Sequence, residues 1–293
     1  MLSDTIDGLI VTSIGNPNPT TEGYPGVPGE SHFASLGGDR IHYVTLGKGK
    51  RTVVFIHGWA GHVGVWREQA SALAGKARLI FIDLPGHGKS DKPQTDYTLD
   101  YFAEAVLAVL EDANVDKAIF IAHSMGAAVL CRLCLHAPEK VAALVSVDGL
   151  LRRPHGSPEE ARALVAPFGT PHYLEHARRF LGSFFPIPGT ETLRDQMMPE
   201  MLATPQHVML GAMMGMFGPN QPDWLLEKVD APVAVINAPS FWWTNGYESY
   251  VRSLNPQSDY ILMEGVGHFL MLEKPAEFNA TLSAMLRKFG SLA

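Results

Sequence analysis

A serine stands alone at the junction between two apolar segments of the sequence. Ser124 follows the buried-strand pattern Ile119–Ala122 and precedes small apolar residues at helical spacing. A sharp turn from strand to helix exposes its side chain and directs the helix N-terminus at it. Because a serine hydroxyl is a weak nucleophile at neutral pH, it also needs a base. The position of Ser124 therefore predicts nucleophilic catalysis, with an ordinary turn residue as the alternative.

His268 is the candidate base among the 12 histidines of the chain. It lies in "EGVGHFLMLEKP", on a glycine-rich turn after a predicted strand. The carboxyl ends of parallel strands share one edge of a sheet, so this turn is expected beside Ser124. His123 is adjacent to the serine, but its side chain should point away. It is assigned to the substrate pocket, with a packed neighbour as the alternative.

Alternating strand and helix patterns surround these residues over 31–149 and again over 229–293. Such alternation predicts an α/β fold with a mostly parallel sheet of about eight strands flanked by helices. Residues 150–228 lack a strong strand pattern and are predicted to form a helical cap inserted into this core. Residues 1–30 are rich in glycine and proline, which predicts an N-terminal arm or a flexible tail.

The composition is that of a globular protein, with 46% hydrophobic and 18% charged residues. The net charge of -7 argues against a nucleic-acid partner, which requires a cationic surface. No apolar run approaches the ~18 residues of a membrane span, and the first residues lack a basic signal-peptide region. We therefore expect no membrane partner, a cytoplasmic location, and a monomer or homodimer.

Two further patterns are interpreted as structural rather than functional. Cys131 and Cys134 lie three residues apart inside the helix after Ser124, where packing in the core explains them better than redox chemistry. No further residues stand at the spacing of metal ligands, so no metal site is predicted. "GHGKS" resembles the end of a phosphate-binding loop, but Asp83 occupies the position of the required first glycine. No metal or organic cofactor is expected.

Four motifs together resemble the α/β-hydrolase superfamily: "FIHGWAGHVGVW", "FIDLPGHGKSDKP", "IAHSMGAAV" and "VGHFLMLEKPAEF". The resemblance covers about residues 31–290 and is closest to esterases, C–C hydrolases and haloalkane dehalogenase-like members with a helical cap. It implies a nucleophile at Ser124, a base at His268, and an oxyanion hole formed by the backbone N–H groups of Trp59 and Met125. The chain departs from the usual G-x-S-x-G pattern because Ala122 replaces the first glycine.

The acid of such a triad is missing from its usual place. In most relatives it follows the strand corresponding to "PVAVINA", but here the loop reads "PSFWWTNG". Asp148 ends the strand after the nucleophile helix, and some members of the superfamily place the acid there. We predict a triad of Ser124, His268 and Asp148. The alternatives are that Asp148 only caps the next segment, or that Glu248 is the acid.

A serine nucleophile favours an acyl-enzyme and an ester-like substrate over epoxide hydrolysis or dehalogenation. The cap is rich in methionine, which adapts to irregular apolar shapes, so it predicts either a pliable pocket or the cap's own core. The predicted pocket residues are His123, Met213, Met214, Phe241, Trp242 and Trp243. The expected substrate is a small to medium apolar carboxylic ester. The alternatives are C–C, lactone or amide cleavage, acyl transfer, or a non-catalytic receptor.

Overall fold

A computed structural model describes most of the chain. The described residues are 24–49, 51–153, 157–218, 225–227, 229–240, 243 and 246–291. Residues 1–23 of the predicted N-terminal arm therefore lie outside the described residues, as do the predicted pocket residues Phe241 and Trp242.

Eight strands form one sheet in the order β1-β2-β4-β3-β5-β6-β7-β8. Their bounds are β1 Glu30–Leu36, β2 Asp39–Leu46, β3 Thr52–Ile56, β4 Arg78–Ile82, β5 Ala118–His123, β6 Val141–Val147, β7 Val233–Asn237 and β8 Asp259–Leu262. Strand β2 pairs antiparallel with β1 and β4, whereas all other pairs are parallel. The predicted fold class is confirmed.

Helices flank the sheet and follow most strands. Their bounds are α1 Arg67–Leu73, α2 Leu99–Asp112, α3 Met125–His136, α4 Pro158–Val165, α5 Tyr173–Gly182, α6 Glu191–Leu202, α7 Gln206–Phe217, α8 Tyr247–Leu254, α9 Leu270–Glu273 and α10 Pro275–Lys288. Helix α2 begins where its sequence predicts, because the Thr98 hydroxyl accepts a hydrogen bond from the Tyr101 N–H. Within the described ranges, no helix is both long and apolar enough to cross a membrane.

The central strands are buried along their whole length. Every residue of β3, β5 and β7 is buried, as expected for parallel strands covered by helices on both faces. Cys131 and Cys134 are free thiols inside α3 and are also buried, in agreement with their interpretation as core residues. The core therefore holds the carboxyl ends of β3, β5, β6 and β7 on one rigid edge.

Helices α4 to α7 lie between β6 and β7, within the predicted cap. We call residues 157–218, which contain these four helices, the helical insertion. Its first helices bury little: only Val165 of α4, and only Ala177 and Leu181 of α5, are buried. The division of the chain into an arm, a core and a cap domain remains a prediction.

Candidate active site

The turn at Ser124 holds the serine in a strained backbone conformation. Its φ of 53° and ψ of −119° lie outside the regions that most residues adopt. Such a residue costs about 1–3 kcal/mol and persists only when its surroundings impose it. The Ser124 N–H donates to the Val147 carbonyl at 3.0 Å. This bond fixes the turn between β5 and α3 against the neighbouring strand.

His268 contacts the serine through one ring nitrogen and Asp148 through the other. Its Nε2 lies 3.0 Å from Ser124 Oγ, and its Nδ1 lies 2.6 Å from Asp148 Oδ2. With the proton on Nδ1, the imidazole donates to the carboxylate and Nε2 is free to accept the serine proton. The three side chains thus form one continuous hydrogen-bonded chain.

Asp148 is held by backbone groups on the side away from the histidine. Its Oδ1 accepts a hydrogen bond from the Ala238 N–H at 2.8 Å, and its own N–H donates to the Ile236 carbonyl. The residue is 7% exposed and has a φ of 44°. Glu248 lies instead in the first turn of α8, where it pairs with Arg252 at the surface. The carboxylate beside His268 is therefore that of Asp148.

The side chain of His123 packs on the ring of His268 and hydrogen-bonds to its backbone. Its Nε2–H donates to the His268 carbonyl at 2.9 Å, and the two ring centroids are 4.5 Å apart. The residue is only 2% exposed, and burial holds the pKa of its imidazole well below the usual value. His123 therefore stays neutral and supports the His268 turn.

The loop after β3 lies against the serine. A Cβ on Gly58 would be only 2.8 Å from Ser124 Cβ, so the loop can approach this closely only with glycine. The next residue, Trp59, is the predicted source of one oxyanion N–H. The other candidate, the Met125 N–H, is the first of α3 and has no partner within its helix. One predicted donor thus lies in the loop that packs on Ser124, and the other begins the helix that follows it.

Two neutral histidines hold this loop in place. His87 Nδ1–H donates to the Pro85 carbonyl, and its Nε2 accepts the Ala60 N–H at 3.2 Å. His57 Nδ1–H donates to the Gly58 carbonyl, and its Nε2 accepts the Leu84 N–H. Complete burial lowers the pKa of His57 to about 4 and the pKa of His87 to about 3. Both rings therefore remain neutral and can accept these backbone protons at neutral pH.

Backbone strain is concentrated at this site. Among the described residues, the non-glycine residues with positive φ are Ala60, Asn114, Ser124 and Asp148. Ser124 and Asp148 are hydrogen-bonded to His268, and Ala60 lies in the loop after β3 that packs against Ser124. Asn114, in contrast, lies just after α2. Strained backbone of this kind collects at functional sites, where surrounding structure fixes it.

The helical insertion supplies an aromatic wall over the histidine. The ring of Phe184 lies 4.4 Å from that of His268, and Phe180 packs edge-to-face on Phe184 at 5.1 Å. Phe180 in turn contacts Trp59, whose indole N–H donates to the Met209 carbonyl in α7. Phe180 and Phe184 are partly exposed. A continuous row of rings therefore runs from the loop after β3 to His268.

The predicted pocket residues that are described lie in different settings. Met213 is 1% exposed and packed inside, whereas Met214 is 40% exposed. Trp243 packs on Tyr247, and its indole N–H donates to the Ala238 carbonyl. It therefore braces the turn whose N–H holds Asp148. Their predicted role in substrate binding remains a prediction.

Two residues near the site are not predictable from the sequence pattern. Phe184 belongs to an insertion without strand pattern, so nothing in the sequence relates it to His268. Glu273 accepts hydrogen bonds from the turn that carries His268. The one sequence feature that could have indicated Glu273 is a carboxylate inside the apolar run "HFLMLEKP". Within the described part of the chain, no group of three or more His, Cys, Asp or Glu side chains is arranged to hold a metal ion.

Comparisons with known proteins agree with this architecture. The sequence model of the alpha/beta hydrolase fold matches residues 51–192. The dihydrolipoyllysine-residue acetyltransferase component of the acetoin cleaving system of Cupriavidus necator is 36% identical over 119 residues, which cover 40% of this chain and 32% of that protein. The chain thus matches about a third of the length of that relative.

Two other proteins are similar over nearly their whole length. The pimeloyl-(acyl-carrier protein) methyl ester esterase of Nitrosomonas europaea is 29% identical over 259 residues, covering 84% of this chain and 99% of the relative. A solved structure of an N-acyl homoserine lactone degrading enzyme superposes with a TM-score of 0.73 at 28% identity, covering 86% of this chain and 99% of the other. The chain has the α/β-hydrolase fold.

Proposed function

We propose that the protein is a serine hydrolase that cleaves small to medium apolar carboxylic esters through an acyl-enzyme. The observation that carries this proposal is the unbroken contact chain from Ser124 Oγ through His268 to Asp148, with distances of 3.0 and 2.6 Å. A hydroxyl, a base and an orienting carboxylate in this order are the requirements of serine-based acyl transfer.

In the first half of the reaction, Ser124 Oγ attacks the ester carbonyl while His268 Nε2 takes its proton. The N–H groups of Trp59 and Met125 donate to the oxyanion of the tetrahedral intermediate. His268 then returns the proton to the departing alkoxide, which leaves as the alcohol. Asp148 stabilises the imidazolium and keeps the proton of the resting histidine on Nδ1.

In the second half, water replaces the alcohol. His268 Nε2 removes a proton from the water, which attacks the acyl-enzyme carbonyl, and the same two N–H groups stabilise the second oxyanion. The proton then passes to Ser124 Oγ, and the carboxylic acid is released. Each step uses groups of this chain, so the cycle requires no added reactant except water.

An apolar substrate is favoured by the side chains around His268. The partly exposed rings of Phe180 and Phe184 face this region from the helical insertion. The arginines that begin the predicted cap are engaged elsewhere: Arg152 lies 4.7 Å from the centre of the Tyr250 ring, and Arg153 donates to the backbone carbonyls of Phe217 and Gly218 at the end of α7. We propose that the helical insertion acts as the cap that binds the acyl group.

Lactone hydrolysis is a second candidate for the same site. It is favoured by the 28% identity to an N-acyl homoserine lactone degrading enzyme over 86% of this chain. A lactone forms the same acyl-enzyme, but its alcohol stays attached to the acyl group after the ring opens. C–C or amide hydrolysis and acyl transfer are further reactions that the same three side chains support.

The first experiment is the initial rate of p-nitrophenyl butyrate hydrolysis by the wild-type protein and by Ser124→Ala. We expect the substitution to remove at least about a 10³-fold rate enhancement, because no other group replaces the nucleophile. Equal rates in the two proteins would exclude Ser124 from the mechanism. An inactive wild type that opens N-acyl homoserine lactones would select the second candidate instead.

A further inference from the structure

The turn that carries His268 is fastened by one carboxylate. Glu273, the last residue of α9, accepts the Gly267 N–H on Oε2 at 2.6 Å and the Phe269 N–H on Oε1 at 3.1 Å. These two N–H groups belong to the residues on either side of His268. One side chain therefore holds the backbone before and after the proposed base.

The other backbone groups of the turn are also bonded. The His268 N–H donates to the Phe184 carbonyl at 3.2 Å, and the His268 carbonyl accepts the His123 Nε2–H at 2.9 Å. His123 comes from β5 and Phe184 from the helical insertion. The position of the imidazole thus depends on three separate parts of the chain, of which Glu273 makes the most contacts.

Glu273 does more than end a short helix. Its own N–H donates to the Phe269 carbonyl at 2.9 Å, which is the ordinary i→i−4 bond of a helix, and its Oε1 accepts the N–H of Phe269, the residue that precedes α9. A cap requires only one of the two oxygens. The second oxygen reaches Gly267, which lies before His268 and outside the helix.

The backbone of the turn is closely packed between the insertion and the carboxylate. A Cβ on Gly267 would lie 2.8 Å from Pro186 Cδ, 2.9 Å from the Phe184 carbonyl oxygen and 3.1 Å from Glu273 Oε1. The backbone at Gly267 is therefore enclosed between the insertion and Glu273. Burial raises the pKa of Glu273, and the two N–H groups oppose that shift.

We infer that Glu273 is a positioning residue, which holds the His268 turn so that Nε2 stays within hydrogen-bonding distance of Ser124 Oγ. The inference rests on the proposed function. A carboxylate presents acceptors to both N–H groups, whereas a carboxamide of the same size must turn its NH₂ toward one of them. Two facing donors repel each other, so the turn and its imidazole must move. A displacement of about 1 Å at a reacting group costs about 10²-fold in rate.

The test compares Glu273→Gln with the control variant Glu277→Gln. In the wild type, the Glu277 carboxylate lies at the surface of α10, where it is 3.9 Å from the Lys274 ammonium group. We expect Glu273→Gln to lower kcat for p-nitrophenyl butyrate by about 10- to 100-fold while KM changes by less than about threefold. Glu277→Gln should match the wild type in both constants. A purely structural role would lower the amount of folded protein but would leave kcat per folded molecule unchanged.

A second variant covers the case in which Glu273→Gln does not fold. Glu273→Asp keeps the charge but is one methylene shorter, so it cannot reach both N–H groups. We expect it to fold, as followed by its near-ultraviolet circular dichroism, and to show a reduced kcat. A folded Glu273→Gln or Glu273→Asp protein with kcat within about twofold of the wild type would overturn the inference.

The Ser124→Ala protein separates this inference from the proposed function. If Ser124→Ala retains activity, the proposed mechanism itself fails. If Ser124→Ala is inactive and Glu273→Gln has the wild-type kcat, the mechanism stands and only the role of Glu273 is overturned.

Discussion

The carboxyl edge of the sheet and the helical insertion meet at His268, but they are held in different ways. On the sheet, the backbone N–H groups of Ser124 and Asp148 each donate to a carbonyl of a neighbouring strand, and both residues are strained. In the insertion, α4 buries one residue and α5 two. The other two helices of the insertion bury more, three residues in α6 and six in α7. The sheet edge therefore fixes the proposed catalytic groups, whereas Phe180 and Phe184 come from the least buried part of the insertion.

The largest expected effect concerns the sheet edge. In the proposed mechanism, Asp148→Asn removes the charge that stabilises the imidazolium while it retains the shape of the side chain. If its one oxygen keeps the bond from the Ala238 N–H, its NH₂ faces His268 Nδ1 and disfavours the required tautomer. We expect kcat for p-nitrophenyl butyrate to fall by about 10³–10⁴-fold. Glu248→Gln, at the surface of α8, is the matched control. A large loss in the control and none in Asp148→Asn would make Glu248 the acid.

A smaller effect is expected when a glycine is replaced by alanine, which adds one methyl group. One such variant is made beside the sheet edge and one in the helical insertion. Gly58→Ala puts a Cβ 2.8 Å from Ser124 Cβ, so the serine or its loop must move. We expect kcat to fall by about 10- to 100-fold. Gly182→Ala, in α5 of the insertion, meets no atom within 4 Å and should leave kcat unchanged. Equal kinetic constants for the two variants would show that the loop after β3 is as tolerant as the insertion.

The smallest expected effect is on stability rather than on rate. The folded-state pKa values of His57 and His87 are depressed to about 4 and about 3, below the usual value near 6.5. Above about pH 6.5 both histidines are neutral in the folded and unfolded states, and their contribution to stability is fully present. As the pH falls below 6.5, protons bind to these histidines only in the unfolded chain. The contribution of each histidine to the free energy of unfolding therefore falls by about 2 kcal/mol by pH 5.

Urea unfolding at pH 7 and pH 5 measures this loss. His87→Gln should reduce the difference between the two pH values, whereas His172→Gln, at an exposed position before α5, should not. If His87→Gln shows the same difference in the free energy of unfolding between pH 7 and pH 5 as the wild type, His87 does not contribute to the acid sensitivity of the protein.

The sheet and its edge are predictable because their signals are local. An apolar run marks β5 just before Ser124, and a second strand pattern, that of β8, precedes the glycine-rich turn of His268, so the sequence alone predicts both residues at one edge of the sheet. Asp148 requires a further step, since its strand has to be chosen over the usual one. In the folded protein its carboxylate lies 2.6 Å from His268 Nδ1.

The contacts that cross between distant segments are not predictable. Helix α9 has only four residues, which is too short for a periodic pattern, so the sequence indicates only a turn there. Glu273 and Phe184 are bonded to backbone groups of the His268 turn. Because every residue type except proline has the same backbone groups, such bonds cannot be recognised from the residues that they contact. Tertiary packing alone brings Phe184 to the histidine.

The bond from the His268 N–H to the Phe184 carbonyl has a consequence for engineering. If the helical insertion is the proposed cap, its exchange for another segment is a direct way to change the substrate. Here the segment also supplies a backbone acceptor to the base turn, and it supplies another, at Met209, to the Trp59 indole. A transplanted segment must therefore provide a carbonyl at each of these two points, or the turn of His268 and the Trp59 side chain lose the bonds that hold them.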